Sequence, residues 1–128
     1  MSVRKAHLPD QVAIDAYGNL GFRFGGMSHQ GSLLALPSGM YGWVVKEVID
    51  LSLDDFSPVF EDQDRIGFVI LGTGKTQVWP APELRRQFDE RRIGLEVMDT
   101  GAAVRTYNVL LAGKRPVAAA LVSVDDPR

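Results

Sequence analysis

The sequence predicts an α/β domain built on a mixed sheet, with β-hairpins in its N-terminal half and a β-α-β-α-β order in its C-terminal half. Three observations carry this. The first half is a series of short alternating segments punctuated by glycine, the pattern of antiparallel strands. The second half alternates apolar runs with two segments of helical period. The chain has 128 residues, 45% hydrophobic and 23% charged, which is enough for one core and one domain over 1–128, centred on about 12–124.

The first hairpin begins the chain's regular structure. Val12 to Tyr17 alternates, with Val12, Ile14 and Ala16 on one face. Gly18-Asn19 is a turn signal, because both residues tolerate positive φ. Leu20 to Phe24 completes the hairpin, with Leu20, Phe22 and Phe24 on one face. Gly25-Gly26 breaks the pattern, and Met27 to Gly31 reads as a loop. Ser32 to Leu36 and Met40 to Val45 are strands on either side of a Pro37-Ser38-Gly39 turn. These strands either extend the main sheet or form a second, small one. A short helix is predicted around Leu53 to Phe60, with Ser52 or Asp54 near its start.

Ile66 to Leu71 is nearly continuous in apolar residues, the mark of a strand buried on both faces. Pro82 opens a helix in which Leu84 and Phe88 share a face, and Gly94 is its stop. Leu95 to Met98 is a strand. Asp99 or Thr100 caps a helix running to about Ala112, closed by Gly113. Val117 to Val124 is the last strand. Strand, helix, strand, helix, strand predicts parallel neighbours joined by right-handed crossovers.

Composition excludes much chemistry. There is no cysteine, hence no disulfide, thiolate nucleophile or Cys-ligated metal. The net charge of −2 gives no case for nucleic acid. Met1 to Asp10 lacks the apolar stretch of a signal peptide, and Pro116 to Val124 falls short of the roughly 20 residues of a membrane helix, so a cytoplasmic location is expected. His29 lies in a predicted loop with no spacing that pairs it with His7 as metal ligands, and no serine sits in a nucleophile elbow. No catalytic residue, cofactor or metal is predicted.

Gly72-Thr73-Gly74-Lys75-Thr76 ends like a phosphate-binding loop, but the required upstream glycine is Val69, and Pro80 and Pro82 prevent a helix from starting directly after Lys75. The dinucleotide pattern fails at Gln77. The position is still suggestive: if the strands ending at Leu71 and Met98 are parallel neighbours, Gly72, Thr73, Gly74 and Lys75 meet Asp99 and Thr100 at one sheet edge, where open α/β sheets bind ligands. A ligand or anion crevice there, with Arg105 and Asn108 from the last helix, is the candidate site. The simpler readings are a glycine turn, a helix cap and, for Asn108, a structural tie. Arg85, Arg86, Arg91 and Arg92, interrupted by Asp89 and Glu90, read as a solvated face or a protein contact. Trp43 and Trp79 read as core or as interface anchors.

Taken together, Phe22-Arg23-Phe24-Gly25-Gly26, Gly31-Ser32-Leu33-Leu34, Leu71-Gly72-Thr73-Gly74, Gly94 to Thr100, Ala102 to Leu110 and Ala118 to Leu121 resemble the Mth938-like family, also called DUF498, from about Ile14 to Val122. The cysteine frequent in the family's last-helix motif is Val104 here; its glycine and Thr-x-Asn positions fall on Gly72, Gly74, Thr106 and Asn108. The resemblance implies two β-layers with helices. It also implies kinship with mitochondrial factors that assist assembly of respiratory complex I, and no defined reaction. The expected function is a non-enzymatic protein-interaction module with protein partners, its candidate role being assembly of a respiratory or other membrane complex. The alternative is a small-ligand or anion-binding domain using the strand-end crevice. Self-association as a homo-oligomer is compatible with the sequence, which leaves the copy number open.

Overall fold

The computed structural model describes residues 6–127. A six-stranded mixed sheet forms its centre, and a separately hydrogen-bonded three-stranded antiparallel sheet packs on one of its faces. The large sheet runs β1 (Ala6–Leu8), β6 (Gly39–Trp43), β5 (Ser32–Leu36), β9 (Val117–Leu121), β7 (Phe68–Gly72), β8 (Gly94–Met98). β7 is parallel to both β8 and β9, and β5 is antiparallel to β9 and β6. The small sheet is β2 (Ala16–Gly18), β3 (Gly21–Phe24) and β4 (Met27–Gln30).

Both faces of the large sheet are covered, which is why its central strands carry no polar alternation. On one face Leu34, Leu36, Val69, Leu71, Ala118 and Ala120 meet Phe56, Val59, Leu84 and Phe88. These come from the 44–66 segment and from α2 (Pro82–Glu90). On the other face Leu33, Ala35, Ile70, Ala119 and Leu121 meet Phe22 and Phe24 of the small sheet and Ala103, Val104 and Tyr107 of α3 (Thr100–Ala112). The predicted helix around Leu53 to Phe60 is a 3-10 turn over Leu53–Phe56 that continues as α1 (Ser57–Glu61). Ser52 and Asp55 close a capping box at its start.

The structure moves several predicted boundaries. The Val12 to Tyr17 strand shrinks to Ala16–Gly18, because Val12 and Ile14 bond to side chains of α3 rather than to a strand. The hairpin turn centres on Asn19 and Leu20, both at positive φ, one residue beyond Gly18-Asn19. Met27 to Gly31, read as a loop, contains β4: Gly25 and Gly26, at φ 56° and 76°, make the tight turn that folds Met27 back onto Phe24. Gly94 does not stop α2. It opens β8, and the chain reverses at Arg92, at φ 57°. β6 ends at Trp43 and β9 at Leu121, earlier than Val45 and Val124. β1 has no counterpart among the predicted strands. Of the Met1 to Asp10 segment expected to lack a targeting stretch, residues 1–5 lie outside the described ones. Among the described residues, no helix is long and apolar enough to cross a membrane.

Candidate functional site

The parallel pairing of β7 with β8 sets Gly72 beside Met98, and pairing with β9 sets Gly72 beside Leu121. Gly72–Lys75 and Asp99–Thr100 therefore do come to one edge of the sheet. The space between them is filled. Thr100 is fully buried, its Oγ1 donates to the Val122 carbonyl at 2.7 Å, and it accepts from the Gly74 N–H at 2.9 Å. Its own N–H donates to the Gly74 carbonyl at 2.8 Å. A Cβ at Gly72 would lie 2.9 Å from Leu121 Cδ2 and 3.0 Å from Thr100 Cα, so glycine is required for this approach.

The helix end is equally occupied. The Asp99 carboxylate accepts from the Ala102 N–H at 2.9 Å, and the Tyr17 hydroxyl lies against Gly101. A helix N-terminus attracts an anion only through free N–H groups. Here the Gly74 carbonyl takes the Thr100 N–H and the Asp99 carboxylate takes the Ala102 N–H. Asp99 and Thr100 thus cap the helix and close the predicted crevice. Arg105 is exposed on α3. Asn108 binds backbone on both sides, accepting from the Ile14 N–H at 2.9 Å and donating to the Ile14 carbonyl at 2.8 Å. Tyr107 donates to the Val12 carbonyl at 2.7 Å, and burial pushes its phenol pKa upward. The Asn108 amide takes the place of a neighbouring strand at Ile14. Asn108→Leu would leave both Ile14 groups unpaired and lower stability by about 1–3 kcal/mol, read by urea denaturation.

What the junction does build is a stiff exposed loop. Thr73 Oγ1 donates to the Thr76 carbonyl at 2.6 Å and accepts from the Val78 N–H at 3.0 Å. Gln77 donates to the Val97 carbonyl at 2.8 Å. Lys75 is exposed, and beyond it the loop presents Val78 and Trp79, the latter 67% exposed. The other tryptophan is core: Trp43 donates to the Asp55 carbonyl at 2.8 Å and meets Phe56 edge-on. Because β5 is antiparallel to both β6 and β9, β6 points the same way as β7. The segment after β6, with exposed Val44 and Ile49, therefore leaves the sheet at the same end as the Trp79 loop. On α2, Arg86 pairs with Glu83, and just past its end Arg91 lies over the Phe60 ring at 4.2 Å. Arg85 and Arg92 are exposed.

A pair that the sequence did not reveal is His7 with His29, whose rings stand 4.5 Å apart. Burial, then the neighbouring His29, hold His7 below the ordinary histidine pKa. His29 also lines a shallow depression of about 310 Å³ on the small sheet, with Tyr17, Arg23, Ser28 and Gln30. Among the described residues, no group of three or more His, Asp or Glu is arranged to hold a metal.

Comparison with known proteins agrees with this architecture. Residues 14–122 match the family model described as a protein of unknown function, DUF498/DUF598. NADH dehydrogenase (ubiquinone) 1 alpha subcomplex assembly factor 3 from Mus musculus is 31% identical over 122 residues, covering 95% of this chain and 66% of that protein. The Homo sapiens protein of the same name is 32% identical over the same shares. The chain thus spans just under two thirds of these relatives' length. A crystal structure described as an outer membrane protein from Bartonella henselae is 47% identical, with a TM-score of 0.89 over 93% of this chain and 100% of that one. A Bordetella pertussis structure described as an Mth938-like domain shares the fold, with a TM-score of 0.77 at 24% identity over 98% of this chain and 94% of that one. The two sheets, the covering helices and the matched span together assign the chain to the DUF498/DUF598 family, with an Mth938-like fold.

Proposed function

We propose that the chain is a non-catalytic protein-interaction module, acting in the cytoplasm, that assists assembly of a respiratory or other membrane complex. One observation carries the reading: the loop after β7 is tied down by Thr73 and Gln77 yet leaves Trp79 exposed. Exposing an aromatic side chain on a rigid support costs solvation without aiding the core, and tryptophan is the residue type most enriched among interface anchors. Val78 beside it adds to the exposed apolar surface, and Val44 and Ile49 are exposed on the segment that leaves the sheet at the same end. Relatives named as complex I assembly factors support a role of the same kind here.

Affinity capture of the tagged chain from its native cells, with mass spectrometry as the readout, tests the proposal. The expected result is a reproducible protein partner that is lost with Trp79→Ala. That substitution should change folding stability by less than about 0.5 kcal/mol, since it lies on the surface. Capture with the same partners at the same yield by Trp79→Ala, or no reproducible partner, would overturn the assignment.

A further inference from the structure

We propose that His7 and His29 form a binding site for a divalent transition-metal ion of the zinc, nickel and copper class. Three separate features of the backbone bring these two imidazoles together from distant positions in the sequence.

The first is a β-bulge. Ala6 pairs with Tyr41 and Leu8 with Met40, so two steps along β1 match one step along β6, and His7 is the extra residue. A bulge on an edge strand re-aims a side chain. Leu8 packs on the core side shared by α3 and the small sheet, and His7 reaches His29 of that sheet. The second is the joint between the sheets. Gly31, at φ 96°, is the sole residue between β4 and β5, and His29 folds back over it to the Ser32 carbonyl at 2.8 Å. The third is Gly42 of β6. A methyl there would lie 3.2 Å from His29 Cε1 and 3.6 Å from His7 Nε2, so its absence leaves the space the two rings occupy.

The hydrogen bond decides the chemistry of His29. A carbonyl oxygen only accepts, so Nε2 must carry the proton that it shares with Ser32. Nδ1 is then the bare nitrogen, with its lone pair available. A ligating histidine that donates its other ring N–H to a backbone carbonyl is the usual outer-shell arrangement at metal sites, where it fixes the tautomer and ring orientation. His7 is exposed enough to turn a nitrogen toward the same ion. Imidazole nitrogen suits zinc, copper and nickel and not magnesium or calcium. Of the charged and titratable residues on surrounding strands, Tyr41 faces the opposite core. Arg23 pairs with Ser28, one step along from the Phe22–His29 pair, so its side chain leaves the small sheet on the other face, although both residues border the same depression. With two protein ligands the remaining coordination positions go to water.

Isothermal titration of the full chain with zinc chloride and nickel chloride, slightly above neutral pH, tests this. The expected result is one saturable site per chain for either ion and none for magnesium chloride. His7→Ala and His29→Ala should each weaken zinc binding by at least about tenfold. In ¹⁵N spectra of the imidazoles, zinc should shift His29 Nδ1 and leave Nε2 in its protonated range. Unchanged affinity in either variant, or no saturation below millimolar zinc, would overturn the site. His7 lies on an edge strand, so His7→Ala remains a test even if His29→Ala unsettles the sheet joint.

Discussion

Phe56→Ala should lower stability by about 3–5 kcal/mol, the largest single-residue loss expected in the molecule. Phe56 is fully buried where the 44–66 segment closes over the sheet. Its ring meets Trp43 and Phe88 edge-on, at centroid distances of 5.5 and 5.1 Å, and Phe60 at 6.4 Å. Removing it leaves a cavity whose walls come from β6, α1 and α2. Those walls belong to different elements and cannot collapse together. Since domains of this size hold only about 5–15 kcal/mol in total, the variant would sit near the edge of folding. A melting temperature lower by roughly 12–20 °C in circular dichroism is the expected readout. A loss below about 1 kcal/mol would mean that the 44–66 segment packs far more loosely than its burial indicates.

Thr100→Val should cost about 2–4 kcal/mol although it preserves shape, because it strips two buried backbone groups of their partner. The Gly74 N–H and the Val122 carbonyl meet only through this hydroxyl, and no water reaches a fully buried side chain. Thr100→Ser is the control. It keeps the hydroxyl and loses one methyl, worth about 1 kcal/mol. Equal effects of the two substitutions in urea denaturation would show that packing, not the hydrogen bonds, holds the strand ends together. The same pair of variants bears on function, since loosening this junction releases the loop that presents Trp79.

The C-terminal half was legible because its signals are local. Ile66 to Leu71 is apolar on both faces, so β7 had to be an inner strand. Asp99 is the cap of α3, with Pro82 in the first turn of α2, as their short-range chemistry requires. β4 was illegible for the opposite reason. Met27-Ser28-His29-Gln30 has no apolar alternation, and it is a strand only because the Gly25-Gly26 turn delivers it to the free edge of β3. The Val12–Ile14 segment shows the converse error. It alternates like a strand, but Asn108 and Tyr107 take the hydrogen bonds that a neighbouring strand would have made.

By itself the sequence determined the class of the fold, the β-α-β-α-β order of its C-terminal half and the lack of cysteine chemistry, because these depend on residue type and on contacts within one turn or one strand. It also brought Gly72–Lys75 and Asp99–Thr100 to one sheet edge, through the parallel β-α-β order. Only the tertiary structure decided whether that edge is open. Filling it depends on a methyl-sized clearance between Gly72, Thr100 and Leu121, and on one hydroxyl satisfying two chain segments. The meeting of His7 with His29 was likewise decided in three dimensions, by a bulge and a glycine joint whose effect on side-chain direction no spacing encodes.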